Sequence, residues 1–140
     1  MNRTGKSCVM KFLLDTHIWL WGHQEPARLA RRLALALEDE ANELWLSPLS
    51  VWEALLLNAK GRIALEPTAE EWIALALSKV PMKEAPLTTE VAVATQHIQL
   101  PQPDPVDRFL AATARVFDLT LVTADERLLH GTGFSTLANR

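Results

Sequence analysis

A short apolar run that ends on a carboxylate constrains this chain more than any other stretch: Phe12-Leu13-Leu14-Asp15-Thr16-His17, preceded by Lys11. Consecutive large apolar side chains bounded by polar residues predict a strand buried on both faces, as at the centre of a parallel sheet covered by helices. In open α/β sheets of that kind the ligand site lies just outside the carboxyl ends of the strands. Asp15 therefore stands where such a fold keeps its chemistry. Other acids that reach the same edge become candidates to join it.

The rest of the chain alternates between helical and extended patterns. Ile18 to Gly22 is short and apolar, with Gly22 as a helix stop. Residues 27–39 carry Ala30, Leu33, Ala34 and Leu37 at helical spacing, with Arg28, Arg31 and Arg32 outside that stripe. Leu44-Trp45-Leu46 predicts a second strand, and Ser47-Pro48 the cap and first turn of a helix that Gly61 closes. The stripe of that helix is Trp52, Leu55, Leu56 and Ala59. Thr68-Ala69-Glu70-Glu71 has capping-box spacing and opens a helix to Lys79. Val80–Ala85 reads as a third strand, and Thr88–His97 as a helix.

Pro101, Pro103 and Pro105 keep the following segment extended. Asp104-Pro105 opens the clearest helix, with Val106, Phe109, Leu110, Thr113 and Phe117 on one face. Leu119-Thr120-Leu121-Val122 is then a strand running to Thr123-Ala124-Asp125, followed by a short helix over Glu126–His130 and a last strand near Phe134. The predicted class is α/β: three layers, α/β/α, around a central, mostly parallel sheet of about four or five strands. A chain of 140 residues suits one domain with its own core. We expect that domain over residues 11–140, with residues 1–10 as a flexible polar extension. Gly5-Lys6-Ser7 lacks the earlier glycine and preceding strand of a phosphate-binding loop.

Composition narrows the class. With 49% hydrophobic and 22% charged residues, the chain reads as soluble and globular. No apolar run approaches the ~20 residues of a membrane span, and Met1 to Val9 lacks the apolar centre of a signal peptide. One cysteine, Cys8, builds no internal disulfide framework and suits a reducing cytoplasm. A net charge of −3 weighs against a simple electrostatic nucleic-acid binder, but not against a nuclease whose cations are bound metals. The scattered Trp19, Trp21, Trp45, Trp52 and Trp72 read as core and edge packing.

The acids Asp15, Glu53, Asp107 and Asp125 all stand near ends of elements, and each has an ordinary use. Asp15 and Asp125 follow strands and can cap the next helix. Ser50-Val51-Trp52-Glu53 has the capping-box pattern, and Asp104 and Asp107 suit a helix first turn. Together they mean more, because two of them follow the two clearest strands and a parallel sheet sets both at one edge. Gathered carboxylates repel, so some stay protonated or a hard cation binds. Oxygen donors suit Mg²⁺ or Mn²⁺, whereas no thiolate cluster or closely spaced His pair suits zinc. Such ions activate water and offset charge on a phosphodiester under in-line attack. Spacing alone also leaves open a phosphatase or phosphotransfer domain with Asp15 as nucleophile, and a binding module without turnover. A haloacid-dehalogenase-type phosphatase would carry a second Asp where His17 stands.

The ordered set Leu14-Asp15-Thr16-His17, Ser50-Val51-Trp52-Glu53-Ala54, Asp104-Pro105-Val106-Asp107-Arg108-Phe109-Leu110-Ala111-Ala112 and Leu121-Val122-Thr123-Ala124-Asp125 resembles a PIN domain. More narrowly, it resembles the VapC-type toxins of bacterial toxin–antitoxin pairs, over residues 11 to about 137. The resemblance implies an endoribonuclease dependent on Mg²⁺ or Mn²⁺. Asp15, Glu53 and Asp107 match the three central acids, and Asp125 the fourth, more variable position. Thr123 matches the small hydroxyl residue before it, a supporting contact, and Thr16 is expected to orient Asp15 or a bound water. Arg108 is a candidate contact for substrate phosphate. Asp104 is kept apart as a cap, and His17 and His97 as hydrogen-bonded structural residues. The resemblance further implies an RNA substrate, a cognate antitoxin and a homodimer, with residues 27–39 and 48–59 as interface candidates. The basic surface is sparse for an RNA binder; Lys60, Arg62, Arg28 and Arg32 are the candidates to line a groove.

Overall fold

The structure, a computed structural model, describes residues 9–140. Five strands form one sheet: β1 (Lys11–Leu14), β2 (Glu43–Leu46), β3 (Lys83–Glu84), β4 (Thr120–Thr123) and β5 (Ser135–Ala138). Their order is β3-β2-β1-β4-β5 and every pairing is parallel. The helices are α1 (Thr16–Gln24), α2 (Arg31–Glu38), α3 (Pro48–Ala59), α4 (Ala69–Lys79), α5 (Thr89–Ala94), α6 (Pro105–Val116) and α7 (Glu126–Leu129).

The apolar run does what its pattern predicts. Phe12 and Leu14 turn to one face of the sheet, into a cluster with Ile18, Trp19 and Leu20 of α1, Leu33 of α2, Ala54 of α3 and Ala76 of α4. Leu13 turns to the other, where it packs with Leu110 and Ala114 of α6 and Leu128 of α7. On β4, Val122 and Leu121 divide in the same way, as the pleat requires. These alternating side chains fix the α/β/α layers. Truncating the fully buried Leu13 to Ala is expected to cost about 2–5 kcal/mol.

Local signals set most boundaries. Ser47 accepts the Leu49 amide with Pro48 in the first turn of α3, Thr68 caps α4, and Asp104 caps α6. Gly61 ends α3 with φ +75°, and the Arg62 amide reaches back to the Leu57 carbonyl at 2.9 Å, a closure that favours glycine.

Several expectations need correction. Gly22 does not stop a helix: α1 continues to Gln24 and ends at Glu25, because one internal glycine costs only about 1 kcal/mol whereas Pro26 forces its predecessor out of the helical region. The helix expected over 27–39 is a 3-10 turn, Pro26–Arg28, followed by α2. The break is held by Asn139, whose side-chain oxygen accepts the Ala30 amide at 2.7 Å. The helix expected over Thr88–His97 is α5 followed by a 3-10 turn, Thr95–His97. The third strand shrinks to Lys83–Glu84 at the sheet edge, since Pro81 has no amide to offer a ladder.

The stripe on α3 faces outward, with Trp52 48%, Leu55 39% and Leu56 36% exposed. The face that packs carries the small Ser50 and Ala54, both fully buried. Trp52 is thus a surface residue, while Trp19 is the core tryptophan, edge-on to Trp72 at 5.6 Å. Of the expected N-terminal extension, residues 1–8, including Gly5-Lys6-Ser7, lie outside the described residues. Met10 is tied to the fold: its carbonyl accepts the Glu43 amide at 2.8 Å and its own amide donates to Asn42 at 3.0 Å. Among the described residues no helix is long and apolar enough to cross a membrane.

Candidate functional site

The connection from β1 leads by way of α1 and α2 to β2 on one side, while β4 lies on the other side of β1. This reversal of direction opens a crevice at the carboxyl edge. Leu14 pairs with Val122, so Asp15 and Thr123 emerge side by side. The Asp15 amide still bonds the Val122 carbonyl at 3.0 Å, which leaves the carboxylate at the first position beyond the ladder.

Asp15 serves both readings of its sequence position. One carboxylate oxygen accepts the Thr16 amide at 2.8 Å and caps α1, and the other accepts the Thr123 hydroxyl at 2.7 Å. Burial pushes its pKa above the ordinary value, and the bonds from Thr123 and Thr16 offset part of that push. Thr123 also accepts the Asp125 amide at 3.0 Å. It thereby fixes the backbone of one acid and the side chain of another.

Glu53 is not the partner in a capping box. Ser47 holds the cap position, Ser50 lies inside α3, and the Glu53 carboxylate accepts the Thr16 hydroxyl across a sequence gap of 37 residues. Thr16 thus meets both acids, its amide donating to Asp15 and its hydroxyl to Glu53. Burial raises the Glu53 pKa, and the Asp15 and Asp104 charges add to the rise.

At the start of α6, Asp104 accepts the Val106 and Asp107 amides at 3.0 and 3.3 Å. Asp107 is buried, and its pKa is pushed up to about 7, first by burial and then by the charges of Asp104, Asp15 and Asp125. No hydrogen bond reaches its carboxylate among the described residues. Asp125 caps α7 through the Arg127 amide at 2.9 Å and takes the Arg127 guanidinium as a fork, Nε at 3.1 Å and Nη2 at 2.8 Å. That fork holds its carboxyl below the ordinary range. The same guanidinium lies 3.8 Å from Asp107 and 4.0 Å from Asp104.

Asp15, Glu53, Asp107 and Asp125 line one open cavity of about 400 Å³, joined by Asp104 and Arg127. His17, Trp21 and Arg28 complete its wall, with the Arg28 guanidinium over the Trp21 ring at 4.1 Å. The four predicted acids are therefore brought together, and the cap Asp104 with them. His17 is exposed and tilts against Trp21 at 5.7 Å, and no hydrogen bond to its ring is found among the described residues. His97 is likewise exposed, so neither histidine fits the hydrogen-bonded structural role expected of it.

Arg108 is not brought to the acids. Its guanidinium donates to the Ile98 carbonyl at 2.7 Å and the Thr95 carbonyl at 3.3 Å, tying α6 to the turn after α5. Arg127 stands among the acids instead. Sequence reasoning passed over it, although its place two residues after Asp125 was a signal: a cap and the residue two positions on share one turn of backbone. Of the other basic candidates, Arg28 reaches the cavity. Lys60 and Arg62 line an adjoining hollow of about 140 Å³ that shares His17 and Glu53 with it. Arg32 lies elsewhere, donating to the Arg140 carbonyl at 2.8 Å.

The donor set suits a hard divalent cation. All candidate ligands are carboxylate oxygens, and burial together with mutual repulsion raises the pKa of Asp15, Glu53 and Asp107, a charge burden that a bound cation relieves. Among the described residues, however, no three His, Cys, Asp or Glu side chains stand in a constellation ready to hold an ion.

Known proteins share the sequence family and the fold. The PIN domain family matches residues 12–133. The chain is 33% identical to ribonuclease VapC22 of Mycobacterium tuberculosis (strain ATCC 25618 / H37Rv) over 117 residues, which cover 83% of this chain and 88% of that protein. Among solved structures, VapBC2 from Rickettsia felis bound to a DNA fragment from its promoter superposes with a TM-score of 0.70 at 15% identity, covering 92% of this chain and 98% of that one. DNA-bound VapBC from Salmonella typhimurium gives 0.61 at 19% identity, over 93% and 98%. At those identities the structures speak for the fold, while the family match and the relative span most of the sequence. The chain belongs to the PIN-domain family.

Proposed function

We propose that this chain is an endoribonuclease dependent on Mg²⁺ or Mn²⁺ and the toxin of a toxin–antitoxin pair. The observation that carries this reading is the gathering of Asp15, Glu53 and Asp107 in one open cavity at the reversal point of the sheet, next to a hollow lined by Lys60 and Arg62. The likeness to a protein named as a ribonuclease supports the same substrate.

When bound, the ion supplies an activated water and a counter-charge for the phosphodiester. The remaining work falls to the chain. Asp15, Glu53 and Asp107 would hold the ion, with Asp125 at the edge of the set. Thr123 and Thr16 fix the orientation of Asp15 and Glu53. Arg28 in the cavity wall and Lys60 and Arg62 in the adjoining hollow would offer cationic contacts to the RNA backbone, the kind of contact that dominates nucleic-acid affinity.

The alternative of Asp15 as a phosphoryl-accepting nucleophile fits less well. Both of its oxygens already accept hydrogen bonds and the residue is only 9% exposed. The relatives with VapBC in their names support an antitoxin partner, and the outward apolar face of α3 at Trp52, Leu55 and Leu56 supports pairing of two copies. The reading places the protein in the cytoplasm. Purified protein is expected to cut RNA with Mg²⁺ or Mn²⁺ and not in chelator. Asp15→Asn keeps one acceptor oxygen for the Thr16 amide but cannot accept the Thr123 hydroxyl on its amide nitrogen, and it is expected to lose cutting while keeping the fold. Undiminished cutting by that variant overturns this site.

A further inference from the structure

The acid cavity already contains a cation of its own. Arg127 holds Asp125 with a two-point fork and lies within 4.0 Å of both Asp107 and Asp104. The arrangement is built locally. Asp125 caps α7 by accepting the Arg127 amide, so one turn of backbone delivers both halves of the fork. The Arg127 side chain is nonetheless 46% exposed. The acids, for their part, do not converge on a common point; three of them surround the guanidinium.

We propose that Arg127 is an internal counter-ion that competes with the divalent cation for Asp107, and that Asp125 is its anchoring arm. This inference rests on the metal-site reading above. A dication and a guanidinium cannot both occupy a space a few ångströms wide without strong repulsion, so entry of the ion displaces the Arg127 head group. Asp125, already saturated by Arg127, then acts as the arm to which the guanidinium returns. In this role Arg127 is a positioning residue: it keeps the acid cluster assembled without metal, and it lowers metal affinity.

The test is Mn²⁺ titration by calorimetry at fixed ionic strength, with melting temperatures in chelator and in excess Mn²⁺. The proteins are the full chain, Arg127→Gln, Arg127→Lys, Asp125→Asn and Asp15→Asn. Arg127→Gln is expected to bind Mn²⁺ about tenfold tighter than the unaltered chain, the scale set by removing one charge-assisted pair. It should melt lower in chelator and gain more on adding Mn²⁺. Arg127→Lys keeps the charge without the fork and should fall between; if Arg127→Gln does not fold, Arg127→Lys against the unaltered chain decides by the same criterion. Asp125→Asn removes the anchor and an edge acid together and should lose less Mn²⁺ binding than Asp15→Asn, which should lose it. Equal or weaker Mn²⁺ affinity in Arg127→Gln overturns the competition, and a loss in Asp125→Asn as deep as in Asp15→Asn overturns the anchoring role. If the unaltered chain itself binds no Mn²⁺, the metal reading of the cavity falls, and this inference with it.

Discussion

The two sides of the acid cavity hold their carboxylates by different means. On one side, Asp15 accepts the Thr123 hydroxyl and Glu53 the Thr16 hydroxyl. On the other, Asp104, Asp107 and Asp125 lie around the Arg127 guanidinium. A hydroxyl orients a carboxylate without neutralising it, while a guanidinium does both. Burial accordingly raises the pKa of Asp15 and Glu53 with no cation in hydrogen-bond contact, whereas Asp125 is held below the ordinary range. The contrast separates a rigid side, held by hydroxyls with no cation in contact, from an exchangeable side, where Arg127 neutralises Asp125 but leaves the pKa of Asp107 raised.

The largest expected effect comes from breaking the rigid side. Thr123 is fully buried and serves two acids through one hydroxyl. Thr123→Val keeps the shape and removes both bonds, so it should cost about 1–3 kcal/mol of stability in thermal melts. It should also cost about 10- to 100-fold in metal affinity and RNA cleavage, as is usual for groups that orient ligands. Thr123→Ser should restore most of both. Full metal affinity in the valine variant would mean that the hydroxyl does not set the geometry of Asp15.

A smaller effect probes the exchangeable side through pH. The Asp107 carboxyl ionises near 3.8 when unfolded and at about 7 when folded. Between those values the folded state holds a proton that the unfolded state has released. Metal-free stability should therefore fall as pH rises through that interval and level off above it. Asp107→Asn should flatten the fall and raise the melting point at pH 8 in chelator by about 3–8 °C, the scale of one to two kcal/mol in a domain this size. An equal slope in both proteins would remove Asp107 as its source. The smallest effect lies outside the cavity: Arg108→Met should lose about 1 kcal/mol with the bonds to Ile98 and Thr95 and leave cleavage within about twofold. A tenfold loss of cleavage with unchanged melting would return Arg108 to the substrate.

What could be read from sequence was what local chemistry decides. The run at Phe12, Leu13 and Leu14 names a strand buried on both faces. Ser47-Pro48 and Asp104-Pro105 name helix starts, and acids after two parallel strands must share an edge. Partners distant in sequence were not legible. Thr16 meets Glu53 across 37 residues, and Arg127 meets Asp104 and Asp107 only because α6 and α7 both begin at that edge. Periodicity found the stripe on α3 but not its direction, since the fully buried residues of that helix are the small Ser50 and Ala54, with Val51 and Leu57 packed only in part. Gly22 misled because a glycine inside a helix looks the same on paper as one that ends it.

The most direct test of the central claim is anomalous scattering from Mn²⁺ soaked into crystals of the unaltered chain. The account predicts a peak in the acid cavity at about 2 Å from carboxylate oxygens of Asp15 and Asp107, with the Arg127 guanidinium moved away from Asp107. A cavity without a peak at saturating Mn²⁺, or a peak held by other residues while the RNA-cutting activity persists, would contradict it.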